Sequence, residues 1–216
     1  MTDFAEKLAG RFIVLDGPDG SGKSTQLAML DECLRACGVK VVTTRDPGGT
    51  AIGDKIRGIL LDRANDVMSI NCEILLYMAS RTQLMAEVIS PAAASGNCVL
   101  CDRWVSSTVA YQVADGKASA ADIMAAYDLA LPGVCPDLTI ILDLDAEFGL
   151  ARAAGAGGHD RIEARGAKYH RRVRELFLEQ ATGQPGRFAV VDAADTIDQI
   201  HQRVRNVIET WEFDRA

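Results

Sequence analysis

The stretch Phe12–Thr25, FIVLDGPDGSGKST, decides the fold of this chain. Its first five residues form an apolar run of strand length, and residues 17–24 fit the pattern G-x-x-x-x-G-K-[ST] just before apolar residues at helical spacing. Glycines in such a loop let successive backbone N–H groups face one polyphosphate, and the following helix adds partial positive charge at its N-terminus. The stretch therefore predicts a strand, a phosphate-binding loop and a helix, in that order.

The residue types of this loop, known as a P-loop, also predict what its side chains do. Lys23 is expected to reach the β- and γ-phosphates of a nucleotide, and the Ser24 hydroxyl is expected to ligate Mg²⁺. We assign nine residues to nucleotide binding: Gly17, Pro18, Asp19, Gly20, Ser21, Gly22, Lys23, Ser24 and Thr25.

Outward from the loop, short apolar runs alternate with segments of helical periodicity, which predicts an α/β fold of the P-loop NTPase type. Its five-stranded parallel sheet is expected to be flanked by helices on both faces. The predicted helix at 70–89 has Ser69 or Asn71 as its cap and Pro91 just beyond its end. The other predicted strands are 39–43, 98–102, 138–144 and 188–192, and the other helices are 25–37, 51–61, 106–113, 120–131, one from 146, 165–180 and 197–211.

Length and composition favour one compact domain over residues 1–216, because 48% of the residues are hydrophobic and 25% are charged. A net charge of −7 argues against a protein that binds a nucleic-acid polymer over its whole surface. Apolar runs such as Leu138–Leu142 are too short to span a membrane, and Met1–Gly10 lacks the apolar run of a signal peptide. We therefore expect a cytoplasmic location and six reduced, mostly buried cysteines.

A phosphate-binding loop alone leaves switch GTPases, ATPases, kinases and synthetases open. Asp46–Gly49 matches the D-x-x-G of a GTPase, but the chain has no N-K-x-D to bind guanine. Asp102 and Arg103 follow the third strand, at the sheet edge where open α/β folds bind ligands. An acid at this position can hold Mg²⁺, and an arginine can bind a phosphate.

Six segments together make the chain similar to the thymidylate kinase family of nucleoside monophosphate kinases, over nearly its whole length. They are GPDGSGKST (17–25), RDPGGT (45–50), EILLYMASRTQL (73–84), DRWVSSTVAYQ (102–112), PDLTIILDL (136–144) and DRIE (160–163). The resemblance implies transfer of the γ-phosphate of ATP to dTMP with Mg²⁺ as cofactor, and a homodimer. Ser24 and Asp102 are then the expected metal site.

The resemblance also implies roles for individual residues at the acceptor site. Asp19 would receive the 3′-hydroxyl of the sugar, and Arg45 and Arg103 would surround the acceptor phosphate. Tyr77 stands where members of the family usually place a phenylalanine that stacks on thymine. The base edge and the sugar would be contacted by Arg81, Thr108, Tyr111 and Gln112.

Residues 152–165 resemble the mobile lid of the family. The non-basic Gly20 in the P-loop is typical of the bacterial members, in which the lid supplies the catalytic arginine. Arg152 and Arg161 are the candidates, beside Lys23 and Arg103. Residues 153–158 are alanine and glycine where bacterial members often carry further arginines, so three alternatives stay open: Arg152 and Arg161 suffice, Arg165 or Arg172 substitutes, or the enzyme is slow. From another class of protein, the chain could bind nucleotides with little catalysis. A kinase for another deoxynucleotide or for a deoxynucleoside is a further alternative.

Overall fold

One parallel sheet contains all five predicted strands in the computed structural model, which describes residues 2–154 and 165–213. The strand order is β2-β3-β1-β4-β5, and every neighbouring pair is parallel. The predicted fold class is therefore confirmed. The strands are β1 (Phe12–Asp16), β2 (Val41–Arg45), β3 (Cys98–Asp102), β4 (Leu138–Asp143) and β5 (Phe188–Asp192).

The register of the sheet brings the functional segments to one edge. Arg45 at the end of β2 lies level with Asp102 at the end of β3, and Asp102 pairs with Leu15 near the end of β1. The three loops that follow these strands therefore leave the sheet side by side. This is the carboxyl edge, where open parallel sheets bind their ligands.

Within the described residues, ten α-helices cover the two faces of this sheet. The predicted helices are present with small shifts of their ends, whereas the first helix was not predicted because it buries little more than Leu8. No helix in these ranges is long and apolar enough to cross a membrane. The helices are α1 (Thr2–Leu8), α2 (Lys23–Ala36), α3 (Ala51–Leu61), α4 (Ile70–Leu84), α5 (Ser90–Ala94), α6 (Val105–Ala114), α7 (Ala120–Ala130), α8 (Ala146–Ala154), α9 (Ala167–Gly183) and α10 (Ile197–Thr210).

Alternation along β3 shows how the sheet divides the core. Cys98 and Leu100 pack with α2 and α10 on one face, whereas Val99 and Cys101 pack with α4 and α7 on the other. All four side chains are fully buried, as expected for a central parallel strand. The six cysteines are free, but the expectation that most are buried is wrong: Cys98 and Cys101 are buried, two are half-buried, and two are exposed.

The helical segment that begins at residue 70 continues beyond its predicted end. Ser69, one of the two predicted caps, accepts a hydrogen bond from the backbone N–H of Cys72 (3.3 Å). At Met85–Ile89 the backbone forms a π-helical turn that leads directly into α5. Pro91 was expected outside the helix but lies in the first turn of α5, where a missing N–H is tolerated.

Candidate active site

A cavity of about 570 Å³ opens at the carboxyl edge of the sheet, between the P-loop, α3, α4 and α6. Its charge is opposite to that of the chain, because five cationic side chains and three carboxylates line it while the whole protein carries −7. Such a local excess of positive charge suits an anionic ligand. The cations are Lys23, Arg57, Arg81, Arg103 and Arg152, and the acids are Asp19, Asp46 and Asp102.

Lys23 lies at the centre of the P-loop. Its Nζ donates hydrogen bonds to the carbonyl oxygens of Gly17 (3.0 Å) and Pro18 (2.7 Å), and lies 3.3 Å from Ser21 Oγ. Burial lowers the pKa of Lys23 to about 8, against the opposing effect of Asp19 and other nearby carboxylates. A polyphosphate brought to this amine would favour its charged form.

Ser24 and Asp102 form a pair at the start of α2 and the end of β3. The Ser24 hydroxyl donates to Asp102 Oδ2 (2.8 Å). Asp102 Oδ1 is buried and has no hydrogen-bond partner among the residues that the structure describes. A hydroxyl and a carboxylate oxygen side by side are hard donors of the kind that Mg²⁺ prefers, and the unpartnered buried oxygen is suited to bind such a cation or a water molecule on it.

The P-loop is in direct backbone contact with α8. Gly20 has a φ of +73°, and a Cβ at this position would collide with the carbonyl oxygen of Gly149. A Cβ on Gly149 would likewise collide with the carbonyl oxygen of Asp19. Only glycine on both sides permits this approach, so α8 is held directly against the loop that precedes α2.

Asp19 is held on two sides by acceptor-site residues. Its Oδ1 accepts a hydrogen bond from Arg103 Nη2, and its Oδ2 accepts one from the Tyr111 hydroxyl (2.8 Å). Burial acts to raise the pKa of Asp19, but Arg103 and Lys23, with the Tyr111 hydroxyl, hold it below its usual value. Asp19 is therefore an ionised acceptor at neutral pH.

Arg103 adopts a backbone conformation that is rare for a residue with a side chain, with a φ of +72°. Its Nη1 donates to the carbonyl of Gly17 (3.1 Å) and to Ser107 Oγ (2.9 Å), and it lies 3.6 Å from Asp16 Oδ1. Asp16 is fully buried and accepts from the Ser107 hydroxyl as well (2.7 Å). Sequence reasoning treated Asp16 only as a strand end, although a buried acid directly before the P-loop is a usable signal.

The far end of the cavity contains a buried ion pair. Arg81 Nε donates to Asp46 Oδ2 (2.8 Å), its Nη2 donates to Thr108 Oγ1 (3.0 Å), and both charged side chains are 1% exposed. The guanidinium also lies 5.1 Å from the ring of Trp104 and 5.9 Å from that of Tyr127. Asp46 Oδ2 is thus paired with an arginine, and Asp46 Oδ1 is buried without a hydrogen-bond partner among the described residues.

Residues predicted to contact the acceptor base come together on two walls of this end. Tyr77 and Arg81 line the cavity from α4, one helical turn apart, and Thr108, Tyr111 and Gln112 line it from α6. The structure therefore brings both sets to one end of one cavity, and their contacts with a nucleotide stay a prediction.

Arg45 does not line the cavity as sequence reasoning expected, whereas Arg57, for which no role was predicted, does. Arg45 is exposed, pairs with Asp54 (3.1 Å) and is not among the residues that line the cavity. Arg57 on α3 lines it and donates to the carbonyl of Pro47 (3.0 Å). Burial, together with Arg45 and Arg103, lowers the pKa of Arg57. Arg57 lies two turns into α3, the helix that Thr50 caps at its N-terminus.

Of the two lid candidates, only one can be located. Arg152 lies near the end of α8, lines the cavity, and has its Nη1 3.4 Å from the carbonyl oxygen of Ala193. Arg161 lies outside the described residues, as does the DRIE segment. Tyr169 on α9 donates its hydroxyl to the backbone carbonyl of Tyr111 (2.8 Å), which ties α9 to the cavity wall that α6 forms.

The P-loop shares one cavity with several arginines that could bind a phosphorylated acceptor. This combination defines a phosphotransferase of the P-loop nucleotide-kinase class. Comparisons with known proteins narrow this class. The family model described as thymidylate kinase matches residues 15–204, and the chain belongs to that family.

Individual relatives agree with the family match. The chain is 44% identical to a thymidylate kinase of Pseudomonas fluorescens over 201 residues, covering 93% of this chain and 96% of that one. It is 45% identical to a thymidylate kinase of Deinococcus radiodurans over 195 residues, covering 90% and 94%. The crystal structure of thymidylate kinase from Ehrlichia chaffeensis superposes with a TM-score of 0.76 at 30% identity, over 94% of this chain and 100% of that one.

Proposed function

We propose that this chain phosphorylates dTMP to dTDP with ATP as donor and Mg²⁺ as cofactor. The observation that carries the proposal is one cavity with two chemically different ends. The P-loop with Lys23 and Ser24 lies at one end, and a ring, a guanidinium and an amide from α4 and α6 lie at the other. The names of the relatives supply the identity of the acceptor.

The acceptor nucleotide would lie between these ends. Tyr77 would stack on the base, and Arg81 and Gln112 would bind its edge, with Thr108 bracing Arg81. The ionised Asp19 would accept the 3′-hydroxyl of the sugar, with the Tyr111 ring beside the 2′ position. Arg103 and Arg57, which both line the cavity, would bind the acceptor phosphate; we propose Arg57 for this role in addition to the more exposed Arg45.

Transfer requires no protein nucleophile. An oxygen of the dTMP phosphate attacks the γ-phosphorus of ATP, the bond from that phosphorus to the bridging oxygen breaks, and ADP leaves with the electron pair. Lys23 would stabilise the charge that develops on the β- and γ-phosphates. When bound, Mg²⁺ would neutralise charge between these phosphates, and Ser24 and Asp102 are the residues that would hold it.

Closure of the site is assigned to residues 152–165, within a single domain of residues 1–216. Arg152 already lies at the cavity, and Arg161 is the second arginine that would reach the transferred phosphoryl group. An arginine in this position contributes about 10³-fold or more to the rate. Comparing Arg152→Ala and Arg161→Ala with the exposed Arg171→Ala separates the catalytic arginine from general charge loss.

We also propose a homodimer, with α4 and α7 in the interface. These helices pack together and expose Leu75 (63%) and Leu129 (87%), which are large apolar side chains. Light scattering on the wild type and on Leu129→Glu tests this, since a charge at the interface should give monomers. The cytoplasmic location expected from the composition remains a prediction.

The deciding experiment is a coupled ADP-release assay with ATP, Mg²⁺ and dTMP, run beside dUMP, dCMP, dGMP and thymidine. Turnover is expected with dTMP above all others, and Lys23→Ala should lose it while the exposed Lys55→Ala keeps it. Saturable binding of dTMP and ATP without turnover would instead make the chain a nucleotide-binding protein. Turnover with thymidine but not dTMP would make it a nucleoside kinase.

A further inference from the structure

The buried carboxylate of Glu73 lies behind one polar wall of the cavity and holds a side chain that lines it. Glu73 on α4 is 2% exposed and Gln112 on α6 is 1% exposed. Gln112 Nε2 donates a hydrogen bond to Glu73 Oε1 (2.9 Å). Glu73 is not among the residues lining the cavity, whereas Gln112 is.

The chemistry of this pair decides which way the amide faces. A carboxylate only accepts hydrogen bonds, so the Gln112 side chain must turn its NH₂ group toward Glu73. Its oxygen is then directed away from Glu73. Gln112 Oε1 is buried and has no hydrogen-bond partner among the residues that the structure describes. A buried acceptor in this state requires a donor, and a ligand in the cavity can supply one.

Arg81, which lines the same end of the cavity from α4, presents the complementary group. Four of its five N–H groups contact Asp46, Thr108 and Met78, which leaves one N–H on Nη1. The two side chains thus offer one donor and one acceptor to the cavity. The edge of thymine or uracil carries the matching pair, a carbonyl oxygen at position 4 and a hydrogen on N3.

We propose that Glu73 is a specificity-determining positioning residue, which fixes the Gln112 amide so that its oxygen accepts a hydrogen bond from a pyrimidine that carries a hydrogen on N3. Cytosine has a lone pair at N3, so it would place one acceptor against another and leave both unpaired. The inference rests on the proposed function only in taking the acceptor base to lie against Gln112.

The test is the preference between dUMP and dCMP, which both lack the methyl group and differ at position 4 and in the protonation of N3. Binding constants for both nucleotides are measured by calorimetry on the wild type and on Glu73→Gln. A glutamine at this position both donates and accepts, so the Gln112 amide becomes free to turn over. We expect the wild type to favour dUMP by tenfold or more, and the preference to fall about tenfold in the variant, the loss expected when a buried polar pairing stops discriminating.

A double-mutant cycle separates positioning from a purely structural role. Gln112→Met removes the amide, and in that background Glu73→Gln should no longer change the preference. If the role of Glu73 were purely structural, Glu73→Gln would weaken the binding of dUMP and dCMP equally, whether or not residue 112 carries an amide. Glu73→Asp keeps an acceptor-only group and should retain the preference for dUMP, which covers the case in which Glu73→Gln does not fold.

An unchanged preference in folded Glu73→Gln overturns the inference. If the wild type binds dUMP but transfers no phosphate to dTMP or to dUMP, the proposed kinase activity fails while the binding preference still tests Glu73. If the wild type binds none of dTMP, dUMP and dCMP, both proposals fail.

Discussion

The buried pair of Asp46 and Arg81 permits a prediction of stability whose size follows from the structure. Asp46→Asn keeps the shape of the side chain and one acceptor oxygen, but removes the charge opposite a guanidinium that is 1% exposed. Arginine cannot lose its proton in response, so its charge is left uncompensated. Breaking such a pair costs about 3–5 kcal/mol.

Three other contacts of Arg81 offset part of this cost. The Thr108 hydroxyl still accepts from Nη2, and the rings of Trp104 and Tyr127 still lie near the cation. The remaining acceptor oxygen of the asparagine acts in the same direction. The expected loss is therefore at the lower end, about 3 kcal/mol, which corresponds to a fall in Tm of about 6–12 °C for a chain of this length.

The assay is thermal unfolding of Asp46→Asn beside the matched variant Asp54→Asn. Asp54 belongs to the same stretch of chain and also pairs with an arginine, but the pair is exposed on both sides. Exposed pairs contribute little, so Asp54→Asn should melt close to the wild type. Adding Arg81→Met to Asp46→Asn should recover part of the lost stability, because it removes the buried charge.

A Tm for Asp46→Asn within about 2 °C of the wild type would refute this reasoning. Even a loss of about 1 kcal/mol in the free energy of unfolding lowers the Tm of a chain of this size by that much. So would an equal fall in Asp54→Asn, because burial would then not be what distinguishes the two pairs.

Three further predictions concern the P-loop. Ser24→Ala should raise the Mg²⁺ concentration needed for half-maximal rate about tenfold without changing the KM for dTMP; an unchanged Mg²⁺ requirement would remove Ser24 from the metal site. Because burial lowers the pKa of Lys23 to about 8 and phosphate binding needs the charged amine, the affinity for ATP should be constant below that pH and fall as pH rises above it. The measurement is calorimetry of ATP binding between pH 6.5 and 9.5. Lys23→Arg should lose this pH dependence, and the same pH dependence in both proteins would contradict the role given to the Lys23 amine. Gly20→Ala should weaken ATP binding and lower the Tm by more than Gly116→Ala, since both glycines have a φ near +70° but only the first meets a neighbouring backbone; equal effects would exclude the contact as the cause.

The sheet and its loop were predictable because their signals are local. β1 is a continuous apolar run followed by a glycine-rich loop. All five of its residues are buried, as such a run predicts for a central strand of a parallel sheet. The pattern at 17–24 specifies both a backbone path and two side-chain roles. Tyr77 and Arg81 were predicted from the resemblance of residues 73–84, and their spacing of four residues is consistent with one shared helix face.

Other features depend on contacts between distant segments and could not be read locally. Proline at 91 is a local helix-stop signal, yet the π-helical turn before it lets the helical path continue into α5. Arg45 was predicted at the acceptor phosphate from the resemblance of residues 45–50, but its side chain pairs with Asp54 on α3. The role proposed for Glu73 likewise depends on the packing of α4 against α6, which no motif records.

The contact between Gly20 and Gly149 constrains the order in which this chain can accept substitutions. A larger residue in the P-loop at position 20, including a basic one, meets the backbone of α8 and not a side chain that could rotate away. The backbone of α8 must first move away from the P-loop. This requires substitutions at other positions that are tolerated while residue 20 is still glycine. A catalytic cation at position 20 is therefore reached only by a path on which the helix changes before the loop, and selection for that cation alone would not find it in one step.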